Sequence, residues 1–101
     1  MEIYRIDIRE VRTRKELHGR ISETLPLPDY YGNNLDALFD VLTECGEKRT
    51  IVFITNEYVE EALGKYYSAL QAMCRAAADE NPELTILFDE ESDHDAYEEE
   101  Y

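Results

Sequence analysis

Thr50-Ile-Val-Phe-Ile-Thr55 is a continuous apolar run. Such a run suits a strand buried on both faces, which puts residues 50–55 at the centre of a parallel sheet. Working outward, Glu2 to Ile8 set Tyr4, Ile6 and Ile8 on one side and Ile3 on the other, the alternation of a first strand. Leu84 to Phe88 reads as a last buried strand. The segments between are helical in period. Thr13-Arg-Lys-Glu16 has the form of a capping box and opens a helix from about Arg14 to Thr24, with Leu17, Ile21 and Leu25 as its buried stripe. His18 neighbours that stripe and reads as a packing or surface residue, not a ligand. Leu35, Leu38, Phe39 and Leu42 fall at i, i+3, i+4 and i+7 of a second helix, which ends near Cys45-Gly46. Asn56 caps a short third helix through Leu63, ended by Gly64. A fourth, from about Lys65 to Glu80, carries Tyr66, Leu70, Met73, Cys74 and Ala77 on one face until Asn81-Pro82 stops it. Long helical crossovers join parallel strands by right-handed connections. The expectation is an α/β fold, a three-stranded parallel sheet covered by about four helices.

The length of 101 residues suits one compact domain. No apolar run approaches the length needed to cross a bilayer, and the N-terminal Met-Glu-Ile-Tyr-Arg lacks a signal peptide's charged-then-apolar order, so a cytoplasmic location is expected. Cys45 and Cys74 offer neither metal-ligand spacing nor a disulfide framework, in keeping with a reducing compartment. The net charge at pH 7 is −14; eight of the acids, and no Lys or Arg, lie in Asp89–Tyr101, so the preceding residues keep −6. Residues 1–88 are therefore read as the domain and 89–101 as an acidic tail whose composition predicts disorder and whose default role is solvation. The charge of the body repels nucleic acid and anionic membrane surfaces and favours a basic protein partner.

The segment before and within the second helix breaks local rules. Pro26 and Pro28 hold an extended connection. Asp29-Tyr-Tyr-Gly-Asn-Asn34 then sets turn formers around two aromatics, with Gly32 expected in a backbone conformation that a side chain resists and Asn33 or Asn34 as the helix cap. Asp36, Asp40 and Glu44 follow at steps of four, and no Lys or Arg lies within four residues of Asp36 or Asp40. Each like-charge pair at this spacing costs about 0.2–0.5 kcal/mol in an isolated helix. At about 100° per residue, Asp36, Asp40 and Thr43 share a narrow sector, and Phe39 sits between it and the apolar stripe. An aromatic beside carboxylates on a rigid support suits docking onto a basic, concave site.

Each of these residues also has a structural reading. Asp36 fits the helix's first turn, where an acid is stabilising. Asp40, in mid-helix, gains no cap and is a poor helix former, which leaves a solvated face or a docking contact. Tyr31 reads as core and Tyr30 as a contact, while Glu44 and Glu47 read as solvated. Oxygen-only cation sites usually take six or more ligands, so carboxylates on one helix face without His predict no metal. No phosphate loop, paired His and carboxylate, or nucleophile motif is present, so neither a cofactor nor an enzyme is expected.

Leu27-Pro28, Tyr30-Tyr31-Gly32, Asn34-Leu35-Asp36-Ala37-Leu38, Asp40 and Leu42-Thr43 together resemble the signature segment of the barstar family, intracellular inhibitors of barnase-type ribonucleases. The likeness extends more weakly over most of residues 1–88, through Leu17-His18, the strand near residue 50, and Thr85-Ile86. It implies the same fold, and an inhibitor, monomeric when free, whose acidic helix and preceding Tyr-rich loop plug the active site of a secreted-type bacterial ribonuclease. Carried over, Asp40 takes the place of an RNA phosphate, Asp36 is a second acidic contact, and Tyr30, Asn34, Phe39 and Thr43 fill the footprint. Two departures bear on partner choice. Phe39 stands at the family's indole position, and Ala76 stands where the family has an acidic contact, with Glu80 available beside it. The competing reading is an acidic adaptor or nucleic-acid mimic that binds a basic protein other than a ribonuclease.

Overall fold

The computed structural model describes residues 2–29 and 31–90. Its elements are β1 (Glu2–Asp7), α1 (Arg14–Thr24), α2 (Leu35–Glu44), β2 (Arg49–Thr55), α3 (Glu57–Leu63), α4 (Lys65–Glu80) and β3 (Leu84–Glu90). The strands form one parallel sheet in the order β1-β2-β3. This is the α/β architecture the sequence predicts. β3 continues through Asp89 and Glu90, two residues past its expected end, and residues 91–101 of the acidic tail lie outside the described residues.

The local signals explain where the helices begin. Thr13 Oγ1 accepts from Glu16 N at 3.1 Å, and the Glu16 carboxylate accepts from Arg12 N at 2.7 Å, so the reciprocal cap closes one residue earlier than in the usual box. Asn34 caps α2 and Asn56 caps α3, each through its side-chain oxygen. Gly64, with φ of 56°, turns the chain between α3 and α4 in a conformation that any other side chain would strain.

Among the described residues, the sheet is covered on one face only. With sequential strand order and right-handed crossovers, both helical connections step the same way across the sheet and land on the same side. Residues of alternate parity then separate cleanly. In register, Ile6, Phe53 and Phe88 point to the helices, while Arg5, Val52 and Leu87 point away. Phe53 is 1% exposed and stacks on Phe88 with ring centroids 5.1 Å apart, whereas Leu87 is 52% and Ile3 57% exposed. The apolar run at residues 50–55 is thus the central strand, but its Val52 and Ile54 are only half-buried, not sandwiched as the run suggests. β3 is an edge strand and half-exposed rather than buried. In α4 the buried aromatic is Tyr67, whose hydroxyl donates to Thr55 Oγ1 at 3.2 Å; Tyr66 lies at the edge of the stripe.

At the other end of β2, Arg49 is 8% exposed, bonded to Glu2 at 3.2 Å, and stacked over the Tyr4 ring. Asn81, at the end of α4, donates to Leu42 O at 3.0 Å and Cys45 O at 2.9 Å. Those carbonyls lie in the last turn of α2 and at its C-cap, where intrahelical partners run out. One buried amide therefore holds α2 and α4 side by side.

One-sided coverage makes a direct prediction. Phe53→Ala should destabilise the domain by about 3–5 kcal/mol, while Leu87→Ala should stay within about 0.5 kcal/mol of the parent. Urea titration of both variants checks the contrast.

Candidate partner-binding surface

α2 is amphipathic and lies against the core through Leu38 and Leu42, with Leu35 and Phe39 half-buried at its margins. Its opposite side carries Asp36, Asp40 and Glu44, all exposed. Asp36 sits in the first turn, where the helix dipole favours it. Asp40 gains nothing comparable, and neither carboxylate has a hydrogen-bond or ion-pair partner among the described residues. The uncharged polar groups of this face, Asn34 and Thr43, are already engaged. Asn34 Oδ1 accepts from Ala37 N at 2.8 Å and its Nδ2 donates to Gly32 O at 3.2 Å, so the side chain fixes the loop-to-helix junction. The Thr43 hydroxyl donates back to Phe39 O at 2.9 Å, leaving only its oxygen lone pairs for a partner. Glu80 is exposed in the last turn of α4, next to the Asn81 amide that binds the end of α2. Tyr30 lies outside the described residues.

The loop before α2 differs from expectation at one residue. Asn33, not Gly32, takes the left-handed conformation, with φ of 57°. Asn tolerates that region because its short polar side chain supports it locally. Gly32 is small for a different reason: a Cβ there would meet Asn34 Nδ2 at 3.1 Å and crowd the cap.

What anchors this loop is a residue that the sequence leaves anonymous. His18, on α1, is 1% exposed. Its Nδ1 lies 2.6 Å from the Tyr31 hydroxyl and its Nε2 2.7 Å from the Tyr66 hydroxyl. A neutral imidazole has one N–H and one bare nitrogen, so one tyrosine accepts from it and the other donates to it. The ring therefore joins α1, the loop before α2, and α4. Burial pushes the His18 pKa down and the Tyr31 and Tyr66 hydroxyls up, while the Arg14 guanidinium stacked 4.5 Å over the Tyr66 ring partly offsets the latter. All three groups stay neutral near pH 7. The sequence signal was the position of His18 between Leu17 and Ile21; its aromatic partners are 13 and 48 residues away, beyond any local pattern.

Alongside α2 runs a groove of about 660 Å³. One wall is Pro26, Leu27 and Pro28, and the other is the flank of α2 formed by Ala37, Asp40, Val41 and Glu44. The prolines that end α1 thus hold a wall parallel to the acidic helix.

The sequence profile of the family described as Barstar (barnase inhibitor) matches residues 1–93. A Bacillus subtilis (strain 168) protein named "Putative ribonuclease inhibitor YrdF" is 36% identical over 76 residues, covering 74% of this chain and 84% of that protein. The chain belongs to the barstar family.

Because the imidazole resists protonation when buried, folding keeps His18 neutral where the unfolded chain accepts a proton. Its contribution is complete above the unfolded value near 6.5 and is lost as pH falls from there toward the lowered folded value. Asp7, held below the usual carboxylate range chiefly by its hydrogen bond to Arg9, loses its contribution only at lower pH. We expect the denaturant midpoint to fall between about pH 7 and pH 5, and His18→Gln to flatten that limb. Equal slopes for the two proteins would rule out His18 as the source.

Proposed function

We propose that this protein inhibits a barnase-type ribonuclease by occluding its active site with α2 and the loop that precedes it. Membership of an inhibitor family supports the class of function. The observation that carries the reading to the site is the pair of exposed carboxylates, Asp36 and Asp40, without partners among the described residues, on a helix whose start is fixed by Asn34 and whose entry loop is fixed by His18.

A ribonuclease active site must hold RNA phosphate and is therefore basic. Asp40 projects from the acidic face as the principal phosphate mimic, and Asp36, one turn earlier, is the second acidic contact. Because neither is ion-paired among the described residues, their interaction with the enzyme's cations is not offset by the loss of such a contact. Phe39 has its inner edge against the core and its outer edge toward the partner, so it contributes apolar area with little motion to suppress. Tyr30, Asn34 and Thr43 complete the footprint, with Glu80 at its margin on α4. Asn34 acts mainly by setting the loop. In this reading the protein performs no chemistry and needs neither metal nor cofactor. It works as a monomer in the cytoplasm against an enzyme of secreted type, and its charge excludes nucleic acid as a ligand.

Removing one member of a desolvated charge pair costs about 3–5 kcal/mol, which is roughly two to three and a half powers of ten in Kd. Asp40→Ala should lose that much affinity for the ribonuclease it inhibits, with thermal stability slightly raised by the relief of i, i+4 repulsion, whereas Glu61→Ala on α3 should lose none. Titration against a panel of bacterial secreted ribonucleases, barnase included, checks this with residual RNA cleavage as readout. Full inhibition by Asp40→Ala would remove Asp40 from the mechanism. A partner captured from source cells that lacks ribonuclease activity would favour the acidic adaptor instead.

A further inference from the structure

Of the ten Lys and Arg, Arg9, Arg20 and Arg49 are ion-paired, with Asp7, Glu23 and Glu2. Arg12, Arg14, Lys15 and Lys65 are all exposed, and none has an ion pair among the described residues. They lie together. Arg12 precedes the cap of α1, Arg14 and Lys15 open that helix, and the Arg14 guanidinium stacks 4.5 Å over the ring of Tyr66, the neighbour of Lys65 at the start of α4. Arg12 also donates to Arg9 O and Val11 O, which hold it in place without neutralising it. Glu16, in the same turn of α1, is directed to the backbone N–H of Arg12. The helices gain nothing from these cations, because a positive charge in the first turn opposes the helix dipole. On a chain of net charge −14 they make a local reversal of sign that the fold does not require.

Strand direction brings one further segment to this patch. In a parallel sheet the C-terminal ends of all strands share an edge, here Asp7, Ile54 and Asp89 in register. From that edge β1 leads to Arg12 and α1, β2 leads through α3 to Lys65, and β3 leads into residues 91–101. Those eleven residues hold six acids and no Lys or Arg. Fully extended they span about 36 Å, whereas β3 and β1 are two strand spacings, about 10 Å, apart. Their point of departure is already crowded with carboxylates. Glu90 is hydrogen-bonded to Glu60 of α3, which raises the Glu60 pKa, and Glu57 adds a third negative charge. Repulsion drives the segment away from α3, and the patch at the same edge attracts it.

We infer that residues 91–101 fold back along this edge and dock by charge on Arg12, Arg14, Lys15 and Lys65. The contact does not depend on what α2 binds. Tethering favours this segment over a separate anionic partner, because a short linker gives an effective concentration in the millimolar range and lets several weak, exposed ion pairs act together. Docked there, the segment turns the basic region of the surface anionic, so that a basic partner meets no like charge on it. It also covers the Arg14–Tyr66 stack, whose tyrosine holds His18.

The test uses the full chain, isotope-labelled for amide NMR, carrying Cys45→Ser and Glu98→Cys with a nitroxide on residue 98; Cys74 is buried and stays unlabelled. At low salt the nitroxide should broaden the amides of Arg14, Lys15 and Lys65 and spare those of Lys48 and Glu83, at the opposite edge of the sheet. The broadening should be lost in about 1 M salt, where the Debye length is about 3 Å, and should fall in Lys15→Gln combined with Lys65→Gln. A second measurement needs no nitroxide. In the otherwise unaltered chain, Asp93→Asn, Asp95→Asn, Glu98→Gln, Glu99→Gln and Glu100→Gln together should shift the same amides at low salt. Unmoved amides there, or broadening that is absent, scattered over the surface or centred on Ile3 and Leu87 of the open sheet face, would each overturn the inference. Broadening of untagged, isotope-labelled chains by tagged, unlabelled ones would assign the contact to a second copy and overturn it too. The same holds if an oligothymidylate binds these amides equally well in the parent and in the chain with neutralised acids, since the patch would then be open to any anion.

Discussion

Every helix of this domain has to find room on a single face of a three-stranded sheet. That constraint follows from sequential strand order and the handedness of the crossovers, and it shapes the functional surface. α2 and α4 are forced side by side, so their outward faces form a continuous exterior, with α2 presenting Asp36 and Asp40 and α4 ending at Glu80. The inward faces share one core that includes Leu38, Leu42, Leu70 and Phe53. A helix wedged this way cannot shift without opening that core. Charges placed on its far side therefore inherit the rigidity of the packing beneath them.

Packing fixes α2, but not the loop that leads into it. The described residues of that segment include Tyr31, two Asn and a Gly and lie in neither helix nor strand. His18 supplies the missing restraint. An imidazole buried between two tyrosine hydroxyls holds the loop to α1 and α4 at once, and Asn34 finishes the placement by binding backbone on both sides of the junction. Using a histidine here makes the restraint depend on protonation, since a charged ring at 1% exposure is strongly disfavoured. A buried hydrophobe would have filled the space without orienting either hydroxyl.

Local chemistry was legible in the sequence, and long-range geometry was not. The Thr13 and Asn56 caps, the Gly64 break and the stripe of α2 rest on residues within a few positions of one another and can be read off directly, and the α2 cap is narrowed to Asn33 or Asn34, of which the structure uses Asn34. The one-sidedness of the sheet is different. Ile-Val-Phe-Ile at residues 51–54 looks the same whether its second face meets helices or water, and only strand order decides. Likewise, Tyr66 and Tyr67 are interchangeable in a helical stripe until the partners of each are known; Thr55 holds one and His18 the other. Asn81 read only as a stop signal, yet its amide joins two helices. The resemblance to barstar points to Asp40 and its neighbours at once. It is silent about Glu44, whose position on a groove wall depends on prolines found sixteen and eighteen residues earlier.

The acids of α2 are best understood through what the helix gives up for them. A row of carboxylates at steps of four opposes its own helix, and no Lys or Arg within four residues of Asp36 or Asp40 relieves it. Asn34, the first-turn position of Asp36, and the Leu38/Leu42 anchor offset that repulsion, so the helix tolerates Asp40 rather than needing it. A residue that the fold tolerates but does not use stays free for a partner. The other polar groups of this face differ from the two aspartates: Asn34 and Thr43 each already donate to the backbone, Asn34 to Gly32 O and Thr43 to Phe39 O, and so serve the loop-to-helix junction and the helix itself.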